Sequence, residues 1–141
     1  MKIDVIIPTY KPGKELFTLI ERLEKQTVVP NKIILMNTEE KYFEKLVYGA
    51  KFPEQYKNIE VNHISKREFD HGRTRRQGVK KSDADIFVMM TQDAMPADKY
   101  LIERLTEPLT DNVAAAYARQ IPNESCSAME KFIRSFNYPE E

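Results

Sequence analysis

The sequence predicts an α/β fold with a mostly parallel sheet and helices on both of its faces. Runs rich in β-branched residues alternate with amphipathic stretches along the 141 residues. This alternation favours parallel pairing of strands through right-handed crossovers. Polar residues also follow the ends of the predicted strands. With no internal repeat, low-complexity tract or linker, residues 1–141 are interpreted as a single domain.

The first strand and the first helix have the clearest patterns. KIDVIIP, residues 2–8, is a β-branched run that Pro8 closes. Residues 14–26 then place apolar side chains at helical spacing with charges on the opposite face, which is typical of an amphipathic helix. Those apolar positions are Leu16, Leu19, Ile20 and Leu23.

The later elements continue the alternation. Strands are predicted at residues 32–36, 59–64, 85–91 and 113–118, and the strand at 85–91 is expected to be buried. Helices are predicted at residues 40–49, 73–82, 97–107 and 127–136.

Composition excludes several classes of function. Lys plus Arg and Asp plus Glu are both 22, so no basic excess indicates a nucleic-acid partner. Cys126 is the only cysteine, which excludes an internal disulfide and fits a reducing compartment. No apolar run approaches the roughly 20 residues of a membrane helix. We therefore expect a cytoplasmic chain without a transmembrane segment.

Polar residues at the strand ends form the predicted site. In open α/β sheets ligands bind beyond the carboxyl ends of the strands, where the strand order reverses. The residues at those ends are Pro8-Thr9-Tyr10, Asn37-Thr38-Glu39, Ser65-Lys66-Arg67 and Thr91-Gln92-Asp93-Ala94.

Arg73, Arg75 and Arg76 lie at the start of a predicted helix. Such a cluster can be a solvated helix face, but Arg at a helix N-terminus opposes the macrodipole, and a bound anion would relieve this. Gly72 fits a turn or a close approach there.

Asp93 follows a predicted buried strand, and a buried carboxylate is costly unless a cation or donors hold it. One carboxylate suffices for Mg²⁺ or Mn²⁺ when a diphosphate completes the ligand shell. The alternative is a helix cap for the segment after Pro96.

Other catalytic patterns are absent from the sequence. There is no G-x-G-x-x-G, no G-x-x-x-x-G-K and no G-x-S-x-G, and His63 and His71 lack the spacing of a zinc pair. His71 could donate a hydrogen bond to a phosphate, although a structural role is the commoner one for a turn histidine.

Together these segments resemble the family 2 glycosyltransferases, which use nucleotide-sugars and have a GT-A fold. VIIPTYKPG is similar to the family's opening strand and turn, GRTRRQG to its G-x-A-R-N-x-G segment, and VMMTQDA falls at its D-x-D position. F-x-H-G-x-T-R, T-Q-D-A, YARQIP and FNYPEE resemble the bacterial rhamnosyltransferase-like branch.

The resemblance implies roles for the site residues. Pro8, Thr9, Tyr10, Gly72 and Gln92 would line a pocket for a dTDP- or UDP-linked sugar. Asn37 would approach the base, Arg75 the diphosphate, and Asp93 would bind Mg²⁺ or Mn²⁺. The chain departs from the family pattern in four places, namely Lys11, Asn37, Arg76 and Thr91.

The implied function is an inverting transfer of a sugar, with rhamnose as the candidate, to a saccharide or lipid-linked acceptor in cell-surface polysaccharide synthesis. It would take place in the cytoplasm, at the inner face of the membrane. Glu124 and Glu130 match no base motif, so we expect the catalytic base beyond Glu141 and a chain truncated at its C-terminus. The alternatives are a non-catalytic α/β nucleotide-binding or scaffold module and, less well matched near Tyr10, a nucleotidyltransferase.

Overall fold

The computed structural model describes residues 1–140, which form four strands and five helices. The strands are β1 (Ile3–Tyr10), β2 (Lys32–Thr38), β3 (Ile59–Ile64) and β4 (Ile86–Met89). The helices are α1 (Glu15–Glu24), α2 (Glu40–Val47), α3 (His71–Lys81), α4 (Leu101–Thr106) and α5 (Ala128–Asn137). None of the helices in the described part of the chain combines the length and apolarity that crossing a membrane requires.

The strands pair in the order β3-β2-β1-β4, and every pair is parallel. The chain therefore moves outward from β1 to β2 and β3, and then returns to place β4 on the other side of β1. Right-handed crossovers put helices from the two directions on opposite faces of such a sheet. The point where the strand order reverses lies between β1 and β4.

The main core lies on one face of the sheet, under α1, α2 and α4. Its apolar side chains are buried in one cluster, and burying that area is the main stabilising contribution to the fold. The helix members are Leu16, Leu19, Ile20, Leu23, Phe43 and Ile102, and the strand members include Val5, Ile7, Ile33, Leu35 and Val88.

Helix α3 covers the opposite face and packs against β1 and β2. Ile6, Ile34 and Met36 are buried there. Gly78 permits the close approach, because a Cβ atom built at this position would lie 2.5 Å from Cγ2 of Ile6. The α3 face of β4 is not covered, and its Phe87 is 47% exposed.

The structure corrects three of the predicted elements. The strand at 113–118 is wrong, since these residues are exposed and show only an isolated bridge between Thr110 and Val113. Its four alanines bury too little apolar area to offset the entropy of ordering the backbone. The strand at 85–91 is shorter than predicted and only half-buried. The helix at 97–107 begins later, at Leu101.

Candidate functional site

The candidate site lies where β1 and β4 leave the sheet side by side. Parallel strands end at one edge, and the order reverses between these two strands, so a crevice is expected at this point. Helix α3 follows β3 and runs back to β4, which places its N-terminus at the same edge. The segments that carry Thr9, Asn37, Arg75 and Asp93 therefore converge on one edge of the sheet.

Gln92 joins the segment after β4 to the end of β1. Its side-chain Oε1 accepts a hydrogen bond from the backbone N–H of Tyr10 at 2.9 Å. Its Nε2 donates to the backbone carbonyl of the same residue at 3.0 Å. The amide thus satisfies both backbone groups of Tyr10. These two bonds join the end of β1 to the chain beyond β4. This contact fixes the position of the next residue, Asp93.

Asp93 is exposed in the loop after β4, and its carboxylate has no hydrogen-bond or ion-pair partner among residues 1–140. The alternative role as a helix cap does not hold, because α4 begins at Leu101 and its N-cap position is Tyr100. The carboxylate of Asp93 therefore lies beside the turn that follows β1, unpaired within the described part of the chain.

The donor set at Asp93 fits a hard divalent cation only as an open site. Within residues 1–140 no group of three or more His, Cys, Asp or Glu side chains is placed to hold a metal ion. Mg²⁺ commonly takes one or two protein carboxylates and completes its shell with water and substrate phosphate. The single free carboxylate of Asp93 is compatible with that arrangement, and the metal assignment stays a prediction.

A row of polar side chains crosses three strands at the same edge. Thr9 of β1 is the register partner of Asn37 of β2, which is the register partner of His63 of β3. The Thr9 hydroxyl donates to Oδ1 of Asn37 at 3.0 Å. Nδ2 of Asn37 lies 3.0 Å from Nδ1 of His63. Asn37 has no exposed surface, so as it stands it does not present its amide to a ligand.

The arginine-rich segment forms the first turns of α3. Asp70 caps this helix, and its carboxylate accepts a hydrogen bond from the backbone N–H of Arg73 at 2.8 Å. That bond lowers the pKa of Asp70 from its usual value. Nη1 of Arg75 donates to the backbone carbonyl of His71, and no contact joins Arg75 to Thr9 or Asp93 among the described residues. The role of Arg75 at a diphosphate stays a prediction.

Gly72 was expected in a turn or at a close approach, and the structure shows neither. It lies inside the first turn of α3, and a Cβ atom at this position would meet only Oδ1 of Asp70, at 3.6 Å. The protein itself therefore does not require glycine here.

A cluster of cations and aromatic rings beside Tyr10 was missed from the sequence. The rings of Tyr10 and Tyr42 meet edge to face with centroids 5.9 Å apart. Nζ of Lys11 lies 5.3 Å from the Tyr10 centroid and 5.0 Å from that of Tyr42, and Nζ of Lys66 lies 6.0 Å from the Tyr10 centroid. Coulombic interaction with Tyr10 and then Tyr42 raises the pKa of Lys11.

The backbone is strained at two positions beside this cluster. Lys11 has φ 45° and Glu39 has φ 63°, in the left-handed region that side chains rarely adopt. Both follow directly on strand ends, where strained residues often accompany binding sites. Phe43, the neighbour of Tyr42, is buried in the core, whereas Tyr42 is partly exposed.

The fold and this edge define an open parallel α/β domain of the type that binds nucleotides at a strand-order reversal. The family model described as glycosyl transferase family 2 matches residues 4–139, and the chain belongs to that family.

Two curated relatives are O-antigen chain rhamnosyltransferases. RfbN of Salmonella typhimurium strain LT2 is 35% identical over 140 residues, a match that covers 98% of this chain and 43% of the relative. WbaN of Salmonella anatum is 30% identical over 140 residues, covering 97% of this chain and 42% of the relative. The chain thus spans less than half the length of either relative.

Solved structures share the fold at low identity. A crystal structure of S. aureus TarS, residues 1–349, has a TM-score of 0.54 at 22% identity and covers 74% of this chain and 31% of that one. CMP:2-keto-3-deoxy-manno-octonic acid synthetase complexed with CTP has a TM-score of 0.55 at 12% identity and covers 76% of this chain and 46% of that one. These likenesses confirm the GT-A fold.

Proposed function

We propose that this domain binds the nucleotide-diphosphate sugar of an inverting glycosyltransferase. The whole enzyme would transfer the sugar, with rhamnose as the candidate, to a saccharide or lipid-linked acceptor during O-antigen or related polysaccharide assembly. The names of the two curated rhamnosyltransferases support the sugar and the pathway. The cytoplasmic face of the membrane is the corresponding place of action.

The contact between Gln92 and Tyr10 is the observation that carries this proposal. It holds Asp93, a carboxylate without a partner among residues 1–140, in the loop after β4, beside the end of β1. The same edge carries Lys11 and Lys66 beside the Tyr10 ring. A diphosphate has the charge that these cations would neutralise, and positioned charges of this kind stabilise a leaving group.

Asp93 would hold Mg²⁺ or Mn²⁺, and Arg75 would approach the diphosphate. The bound ion would offset the negative charge that develops on the departing nucleotide. The chain's own residues would orient the donor. The ring of Tyr10 would contact it, and the hydrogen bond between Thr9 and Asn37 keeps the ends of β1 and β2 in place. Gln92 holds the loop that carries Asp93. None of these residues is proposed as the base that deprotonates the acceptor hydroxyl.

The dTDP- or UDP-linked donors are the proposed ligands. The TarS fragment, which shares the fold, has been crystallised with UDP and with UDP-GlcNAc. A non-catalytic binding module would bind the same nucleotides, so release of nucleotide from the donor sugar by the full-length protein separates an enzyme from a module.

Isothermal titration of the chain with UDP and dTDP, with and without Mn²⁺, tests donor binding. We expect Mn²⁺ to raise the affinity about tenfold, which corresponds to roughly 1.4 kcal/mol. Asp93→Asn should abolish this increment and leave the fold unchanged. Asp111→Asn is the matched control, because Asp111 is also exposed and without a polar side-chain contact in residues 1–140. Equal affinities with and without Mn²⁺ in the wild type would contradict the metal assignment.

A further inference from the structure

A cavity of about 410 Å³ opens beside the polar row, at the ends of β2 and β3. His63 lines it, together with Glu39, Glu40, Lys41, Ile64, Ser65 and Lys66. It lies next to the Tyr10 and Lys66 cluster, at the edge of the sheet that carries the proposed donor site. No sequence pattern indicates a binding role for His63, since it has no partner at metal-ligand spacing.

The hydrogen bonds of Asn37 determine which nitrogen of His63 carries the proton. The hydroxyl of Thr9 donates to Oδ1 of Asn37, which fixes the orientation of the amide. Nδ2 of Asn37 then faces Nδ1 of His63 at 3.0 Å, and an amide nitrogen can only donate. Nδ1 of His63 is therefore the acceptor. This arrangement places the ring proton on Nε2.

The Nε2–H group of His63 makes no hydrogen bond within residues 1–140. Oε1 of Glu40 lies 3.8 Å from Nε2, which is too long for a hydrogen bond. The ring is held in place by Asn37 and by an edge contact with Phe43, with centroids 5.4 Å apart. The side chain is 29% exposed, so this donor is both oriented and accessible from the cavity.

We infer that His63, and not Asn37, reads the base of the bound nucleotide by donating from Nε2 to a carbonyl oxygen of a pyrimidine. Asn37 is fully buried, and its hydrogen bond to Nδ1 determines the tautomer of His63. Uracil and thymine present carbonyl acceptors on the ring, whereas adenine has no carbonyl and its ring-nitrogen acceptors lie at other positions. The inference rests on the proposed function, because it assumes that a nucleotide diphosphate occupies this edge.

Two substitutions of His63 separate the two ring nitrogens. In His63→Gln the amide nitrogen reaches the position of Nε2 and can still donate into the cavity. In His63→Asn the shorter amide reaches only the position of Nδ1, where it meets Asn37. We expect His63→Gln to keep the UDP affinity within about twofold and His63→Asn to lower it by about fivefold, the scale of one hydrogen bond. ADP should bind the wild type more weakly than UDP and be unaffected by either substitution.

Titration calorimetry with UDP, dTDP and ADP measures these affinities, and ¹⁵N NMR of the imidazole reports the tautomer directly. The chain has only two histidines, so the signals are readily assigned. A wild type that binds UDP while His63→Asn and His63→Gln bind it equally would overturn the inference and leave the proposed function intact. A proton on Nδ1 would also overturn it. Absence of any nucleotide binding would overturn both.

Discussion

The side-chain amide of Gln92 pairs with both backbone groups of Tyr10, across the point where the order of the strands reverses. Backbone groups of a neighbouring strand would satisfy the same N–H and carbonyl. Gln92 therefore pairs with β1 beyond the last paired residue of β4, Met89, whose partner is Ile6. The turn after β1 and the loop that carries Asp93 are joined as one unit.

The first prediction concerns the hydrogen bonds between Gln92 and Tyr10. In Gln92→Ala the N–H and carbonyl of Tyr10 lose their partner at a partly buried position, and we expect a loss of about 1–3 kcal/mol in the free energy of unfolding. Nucleotide affinity should fall as well, because Asp93 is no longer held. Chemical denaturation and calorimetry measure the two effects. Gln77→Ala, at an exposed position of α3, is the control and should change neither.

Periodicity was sufficient to predict most of the fold. The spacing of Leu16, Leu19, Ile20 and Leu23 is reproduced as the buried face of α1. The first three strands lie at or near their predicted positions, and the fourth is placed correctly but is shorter and less buried than predicted. Each is rich in β-branched or large apolar residues. The predicted fifth strand is wrong because four of its six residues are alanines, which bury little apolar area, and no local pattern shows whether a partner strand is available.

Only part of the candidate site could be predicted from the sequence. The rule for strand ends located Thr9, Asn37 and Asp93 on one edge, and the structure agrees. The bonds of Gln92 to Tyr10 and of Asn37 to His63 depend on strand order and register, which no local pattern contains. The ring of Tyr42 and the ammonium of Lys66 likewise meet Tyr10 only through tertiary packing.

A second prediction distinguishes packing from function at Gly78. The substitution Gly78→Ala places a methyl group 2.5 Å from Ile6 and 3.3 Å from Cγ of Met36, both of them buried. Overpacking of this kind costs about 1–3 kcal/mol and should move α3 away from the sheet. Thermal unfolding measures the loss. A variant as stable as the wild type would show that the sheet relaxes at no cost.

A third prediction concerns the dependence of stability on pH at Asp70. The hydrogen bond from the Arg73 N–H lowers the pKa of this carboxyl below its usual 3.8. Its ionised form therefore stabilises the folded protein at neutral pH, and this contribution is lost as pH falls through the lowered pKa. NMR titration should find Asp70 below 3.8. Asp70→Asn keeps a capping acceptor and should remove this part of the pH dependence, whereas Asp70→Ala should lower the melting temperature.

A fourth prediction is that residues 111–127 are the first to be cut by proteases. They are mostly exposed and contain no helix or strand. Trypsin should cleave after Arg119 before it cleaves after Lys32, whose peptide bond lies within β2. Mass spectrometry at short digestion times identifies the products. Early cleavage within β2 would contradict the burial of that strand.

The last prediction separates the two glycines of α3. Unlike Gly78, Gly72 has room for a side chain, since only Oδ1 of Asp70 would approach a Cβ atom, at 3.6 Å. Gly72→Ala should therefore leave the fold intact and stabilise it by up to about 1 kcal/mol through helix propensity. If a diphosphate lies against the first turn of α3, the added methyl group occupies its place, and UDP affinity should fall about tenfold. Thermal unfolding and calorimetry on the same sample measure both quantities. Higher stability with unchanged affinity would place the diphosphate elsewhere on the edge and leave glycine at this position without a role in binding.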